Sequence, residues 1–392
     1  MGELSAKLTQ GIQARGYDVI VAVGPDNFTY VTGAVAPFGM KYPDRLAIVV
    51  RPRQGPGVAI CPVEWAEAIK SQGWTESVMT YDENESMPPR PAVTLLASAL
   101  GELGVRSGRI GLDMARASRR FVELLSQLLP GADLVACDDL LRELRLIKTQ
   151  AERELLAIAA QQAERGIVGA LNHIEGAFDA PGGIGYTVGE CSQRIRVHIS
   201  DLGASHVGHL ATMRGPYAHL VYAPQRGDDR LLKGDLVRMD VTYHCRGYWA
   251  NAGRMVVIGE PTQEQRKSYE ENLALKAAGE KMLKPGMPCS DVFRKVQARA
   301  AQDEINLWAE PGIGHGIGVS CEEGPHLNPY DHTVLAPGMV LALDIYTLSP
   351  RGELIHSKDT YEIVEDGHNL LSWYRKWNRL YAVTGVQAVT PD

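Results

Sequence analysis

Four short runs that otherwise read as apolar strands carry residues able to do acid–base chemistry. They are Asp240 in LVRMDVTY, His315 in GIGHGIG, Asp344 in VLALDIYT, and Lys358 followed by Asp359 in HSKDTYEIV. A charged group in such a run is costly unless it has a partner or a chemical task. His219, in GPYAHLVYAP, precedes the first of these strands by a charge-rich loop, and an imidazole titrating near pH 6.5 suits proton transfer. Taken singly, each also has a plain structural reading, as an Asp bonded to backbone amides or a core His with both nitrogens satisfied.

The elements that must position these residues fall into two segments. In the first, residues 17–23, 46–50 and 57–63 read as strands, while 91–103 and 117–129 have helical apolar spacing, which implies a sheet covered by helices. Residues 131–150 run from a strand into an Asp-capped helix, and a long amphipathic helix follows. The boundary is placed there, dividing residues 1–145 from 146–392. In the second segment, helices expected over 151–172, 187–202, 263–283 and 289–302 alternate with antiparallel strand pairs. One pair turns at Cys245 to Gly247; the other joins MVLALDIYT to SKDTYEIVEDG through a loop around Ser349 to Leu354. This is an α+β domain preceded by a smaller α/β domain.

Composition narrows the classes of function. The chain has 392 residues, 45% hydrophobic and 22% charged, the profile of a globular protein with room for two domains. Lys and Arg number 40 against 47 Asp and Glu, a net charge of -7 with no basic run, so nucleic acid is not an expected partner. Apolar runs are too short to span a bilayer, and the polar start MGELSAKLTQ lacks a secretory core; no membrane partner and a cytoplasmic location are expected. Six cysteines without CxxC spacing fit reduced thiols, not a zinc or disulfide framework.

In order and spacing, these elements resemble the pita-bread family of aminopeptidase P, prolidase, methionine aminopeptidase and creatinase. PDNFTYVTG (25–33) looks like a turn of the family's N-terminal domain, LRLIKTQAERELL (144–156) like its interdomain helix, and LKPGMPCSDV (283–292) like its Lys-Pro-Gly segment. GIGHGIG, LAPGMVLALD and the strand ending in Lys-Asp-Thr resemble its last three site-bearing elements. The resemblance implies a pita-bread catalytic domain, a creatinase-type N-terminal domain and a homodimer.

In the family's peptidases, two divalent ions are held by Asp, Asp, His, Glu and Glu. The matching positions here are Asp240, Asn251, His315, Asp344 and Lys358. Asn251 offers a neutral oxygen in place of a bridging carboxylate. An ammonium within about 4 Å of a divalent ion is repelled by roughly 2 kcal/mol in water and about 8 kcal/mol at an effective dielectric of 20. The side-chain charge of the set falls from about -4 to about -1, too little to neutralise two such ions. The expectation is a site without metal or other cofactor, in which Lys358 tethers Asp240 and Asp344.

Creatinase shows how this scaffold works without metal, and the resemblance implies that His219 is a proton-transfer base. Two creatinase acids are missing, their places falling at Gly253 and near Ser357, which argues against creatine as substrate. Glu322 stands where the family usually has a second histidine, and Phe38 lies in the region that in creatinase reaches the partner's pocket, flanked by Lys41 and Arg45. His206 and His209 are expected to line or buttress the pocket. Cys245 and Cys321 lie beside site elements, and the aromatic stretch 370–383 reads as a docking or subunit surface.

The sequence therefore predicts a metal-independent, creatinase-like hydrolase of a carbon–nitrogen bond in a small polar molecule. His219, His315, Lys358, Asp240 and Asp344 are expected to be catalytic; Phe38, Asn251, Glu322 and Tyr248 to bind substrate, with Trp249 as a wall. Its rivals are a lyase or cyclase on the same scaffold, an Xaa-Pro metallopeptidase with degenerate ligands, and a non-catalytic binding module.

Overall fold

The structure, a computed structural model, describes residues 2–36, 45–74, 76–178, 186–215, 221, 223–308, 312–373 and 376–384. The chain divides into two compact units, Met1–Arg145 and Leu146–Asp392.

In the first unit, strands β1 (Val19–Ala22), β2 (Ile48–Pro52), β3 (Val58–Pro62), β4 (Ser77–Tyr81), β5 (Arg109–Leu112) and β6 (Asp133–Ala136) form a sheet in the order β4-β3-β2-β1-β5-β6. Strands β1 (VIVA) and β2 (IVVRP) are buried along their whole length, which is why their Val and Ile residues run without alternation. Helices Arg90–Glu102 and Arg119–Leu128 pack their Leu96, Leu100, Leu124 and Leu125 on this sheet. The PDNFTYVTG segment, expected as a turn, is the helix Pro25–Thr32. Proline begins it and Gly33, at φ 72°, ends it, the placement that preset φ and a left-handed cap favour.

The second unit holds strands β7 (His206–Arg214), β8 (Leu236–Cys245), β9 (Tyr248–Ile258), β10 (Asn306–Leu307), β11 (Gly314–Gly316), β12 (Glu323–His326), β13 (Val340–Leu348), β14 (Leu354–Val364), β15 (Gly367–Leu370) and β16 (Tyr381–Val383). The sheet path is β12-β11-β13-β14-β9-β8-β7, with β10 on β13, β15 on β14 and β16 on β9. Both expected strand pairs form. The β8–β9 hairpin turns through Arg246 and Gly247, both at positive φ (50° and 90°), as a two-residue turn matching strand twist requires.

Strand pleat sorts the side chains. Val237, Met239, Val241 and Tyr243 of β8 pack with helices Gln150–Phe178 and Val188–Asp201, and Tyr243 donates to the Ala159 carbonyl at 2.7 Å. Leu341, Leu343 and Ile345 of β13 face helices Gln263–Glu280 and Cys289–Gln302. The intervening residues, Asp240 and Asp344 among them, are left for the opposite face.

Part of the aromatic stretch near the C-terminus, expected as a docking or subunit surface, packs inward. Trp377 is buried, donates to Glu164 and lies 5.4 Å from the Arg254 guanidinium, while Tyr381 bonds Glu175 and β16 pairs with β9. Trp377 and Tyr381 pack against the domain core, whereas Trp373 is largely exposed.

Candidate active site

Sheet register assembles the site. Asp344 of β13 stands opposite Lys358 of β14, Lys358 opposite Gly253 of β9, and Gly253 opposite Asp240 of β8. Directly opposed residues share a face, so four neighbouring strands present an acid, an amine, a gap and an acid in one row. Across that gap the Lys358 ammonium reaches both carboxylates, at 2.8 Å from Asp344 Oδ2 and 3.3 Å from Asp240 Oδ1. Glycine at 253 leaves space in the row, which the His356 ring occupies.

Further groups complete the charge balance. Arg238 lies 3.6 Å from Asp240 Oδ2, which also accepts from the Tyr346 hydroxyl at 3.3 Å. His356 Nε2 meets Asp344 Oδ1 at 2.6 Å. Burial by itself raises both carboxyl pKa values, but Lys358 and His356 outweigh it and hold both below the ordinary range. For Lys358, burial works against the charge, yet Asp240 and Asp344 keep its pKa well above that of a free lysine. The three groups are ionised together.

His315 lines the same cleft as these three groups. Its Nδ1 bonds the Gly316 carbonyl at 2.9 Å, which fixes the tautomer and leaves Nε2 as the acceptor. Burial, then the neighbouring Lys358, lowers its pKa, so the imidazole is neutral. Glu322 is 3.9 Å from Nε2 with its side chain largely exposed. Asn251 Oδ1 accepts from Thr360 Oγ1 at 3.3 Å. Together with His209, Trp249, Tyr346 and Cys321, these residues line a cleft of about 350 Å³.

The structure thus brings together Asp240, Asp344, Lys358, His315, Asn251 and Glu322. Two expected residues, His219 and Phe38, lie outside the described residues, as does Lys41. Tyr248 is a correction: it is next to Trp249 on β9 but on the other face, where its hydroxyl donates to Glu152 at 3.0 Å. Cys245 is likewise turned away, toward Gln162 and Gly203, and burial raises its pKa, so it is no nucleophile. Arg45 is engaged by Glu64 at 3.1 Å and Glu83 at 2.6 Å. Asp359 faces the helices, bonded to Arg254 at 2.7 Å and to Lys276.

Sequence reasoning missed His356 and Tyr346. Both were within reach of it, since they lie two residues from Lys358 and Asp344 on the same pleat face.

Residues 154–365 match the family described as metallopeptidase family M24, and residues 5–147 match the creatinase/prolidase N-terminal domain. The chain belongs to metallopeptidase family M24. It is 25% identical over 236 residues to the Xaa-Pro dipeptidase of Pyrococcus furiosus, a match spanning 60% of this chain and 65% of that protein. It is 25% identical to an uncharacterized peptidase of Bacillus subtilis, over 70% of this chain and 75% of that one. Among solved structures, the X-Pro aminopeptidase of Thermotoga maritima superposes with a TM-score of 0.81 at 18% identity, covering 96% of this chain and 99% of its own. The prolidase of Pyrococcus horikoshii gives 0.77 at 19% identity, over 96% and 99%. These superpositions confirm the expected pita-bread architecture with a creatinase-type domain before it. The M24 family is one of hydrolases.

The family implies metal, and this donor set does not fit a two-ion centre. Lys358 places an ammonium in contact with the two carboxylates such ions would need, and Asn251 supplies an amide oxygen already in use by Thr360. Among the described residues, no three His, Cys, Asp or Glu side chains converge as a metal site.

Proposed function

We propose that this M24 protein hydrolyses the carbon–nitrogen bond of a small amide or peptide-like molecule, using the Lys358 ammonium as the cation of its site. The observation that carries the reading is the contact of Lys358 Nζ with both Asp240 and Asp344.

The residues suit the reaction in distinct ways. Asp240 and Asp344 are committed to Lys358, so neither is available as a base. His315 is neutral with Nε2 open to the cleft, the state required to take a proton from water as it adds to the carbonyl carbon. Negative charge then develops on the carbonyl oxygen. Lys358 and the Asn251 amide both face the cleft as donors to such an oxyanion, in surroundings of low polarisability where each counts for more. Collapse of the intermediate breaks the carbon–nitrogen bond, and the proton held by His315 passes to the departing nitrogen, giving a carboxylic acid and an amine. Trp249 supplies an apolar wall, and Glu322 at the rim offers a carboxylate to a cationic substrate group.

The test is a panel of Xaa-Pro dipeptides, linear amides and cyclic amidines, assayed with chelator and with added manganese, cobalt or zinc. Turnover that survives chelation and is lost in Lys358→Ala supports the proposal. The relatives named above favour a second reading, an Xaa-Pro dipeptidase dependent on metal, and on similarity alone it is the better supported of the two. Cleavage of Xaa-Pro dipeptides only when metal is added decides for that reading.

A further inference from the structure

We infer that His356 is a positioning residue, holding Asp344 in the orientation that presents its second oxygen to Lys358. The inference rests on the proposed role of Lys358 as the site's cation. His356 is wholly buried, and its Nε2 occupies Asp344 Oδ1 at 2.6 Å while Lys358 occupies Oδ2 at 2.8 Å. A carboxylate bonded through one oxygen turns readily about its last torsion, whereas one held through both oxygens does not.

The imidazole is itself fixed. It stacks on the Tyr346 ring, with centroids 4.2 Å apart and planes 1° from parallel, and it fills the space over Gly253, where an added Cβ would lie 2.1 Å from Cε1. The contacts form a closed circuit: Lys358 to Asp344, Asp344 to His356, His356 stacked on Tyr346, Tyr346 to Asp240, and Asp240 back to Lys358. Gly253 therefore serves the circuit by seating the imidazole.

Reductive methylation of the full-length folded protein with formaldehyde and cyanoborohydride, read by peptide mass spectrometry, tests this without knowledge of the substrate. Lys148, equally buried and paired with Glu323 at 2.9 Å, is the internal control. In His356→Ala the methylation rate of Lys358 should rise at least about tenfold while that of Lys148 stays constant. His356→Gln, which keeps a donor, should stay near the wild-type rate. The inference is overturned if Lys358 stays as inert in His356→Ala as in the wild type, if both lysines rise together, or if Gln behaves as Ala. Should His356→Ala not fold, Gly253→Ala, which displaces the ring without deleting it, should give the same selective rise, and its absence overturns the inference. Metal content of the same wild-type preparation judges the proposed function separately: two bound ions per chain would refute that reading, whereas the lysine ratio judges His356.

Discussion

Asp344 and Lys358 face each other across antiparallel strands, with the amine nitrogen 2.8 Å from a carboxylate oxygen, Lys358 buried, Asp344 mostly so and the buried Asp240 on the amine's other side. Removing one partner of a buried ionic group leaves uncompensated charge, at a cost of about 3–5 kcal/mol. Lys358→Met should lose stability of that order in urea denaturation. A loss under about 1 kcal/mol would show that the ammonium is not what holds the two acids in place.

The same pair makes the metal question reversible. Lys358→Glu combined with Asn251→Asp restores acids at both altered positions, and calorimetric titration with manganese should then detect binding that the parent protein lacks. Equal binding by parent and variant would show that Lys358 does not exclude the ion.

His244, at the turn end of β8, gives a pH dependence of known sign. Burial pushes its pKa down to about 4, against 6.5 for a free imidazole, and its Nδ1 is bonded to Ser205 Oγ at 2.9 Å. Because the unfolded chain takes up the proton first, the contribution to stability is complete above pH 6.5. It is lost as the pH falls toward 4, by at most ~3 kcal/mol. Denaturation curves at pH 7.5 and 4.5 should show a smaller drop for His244→Gln than for the parent, and identical drops would place the effect elsewhere.

Gly253 and His356 should be coupled. Gly253→Ala alone brings a methyl group into the imidazole and should cost about 1–3 kcal/mol, as overpacking does. In a His356→Ala background the same change should cost much less. A double-mutant cycle by thermal denaturation measures the difference, and additive effects would mean that the two side chains do not share one space.

Trp377 tests the altered view of the C-terminal stretch. Trp377→Ala removes a buried ring that bonds Glu164 and covers Arg254, so it should lower stability by about 3–5 kcal/mol without changing the mass found by light scattering. A change of oligomeric state at unaltered melting temperature would return this stretch to the role of an interface.

How much of this could be read from the chain alone follows from physical differences among the residues. Asp240, His315, Asp344 and Lys358 were visible because each interrupts an apolar strand, where a charge must be compensated. The β8–β9 hairpin was visible in its alternation. Tyr248 was misplaced because adjacent aromatic residues look equivalent in a sequence, although pleat sends Trp249 and Tyr248 to opposite faces. The pleat face of His356 is legible from Lys358 two residues on, but its partners Tyr346 and Gly253 lie on two other strands, whose register no single run of residues displays. The tail is legible only in part for a related reason, since its amphipathic spacing says that one side is covered but not by what.

The row from Asp344 to Asp240 crosses four hydrogen-bonded strands, with Lys358 on an interior strand, not on a loop. Its backbone is pinned from both sides, so exchanging the side chain at position 358 can change what the cleft binds without reshaping the scaffold. On the proposed reading, a change of chemistry in this cleft needs new side chains on fixed strands and no new loops.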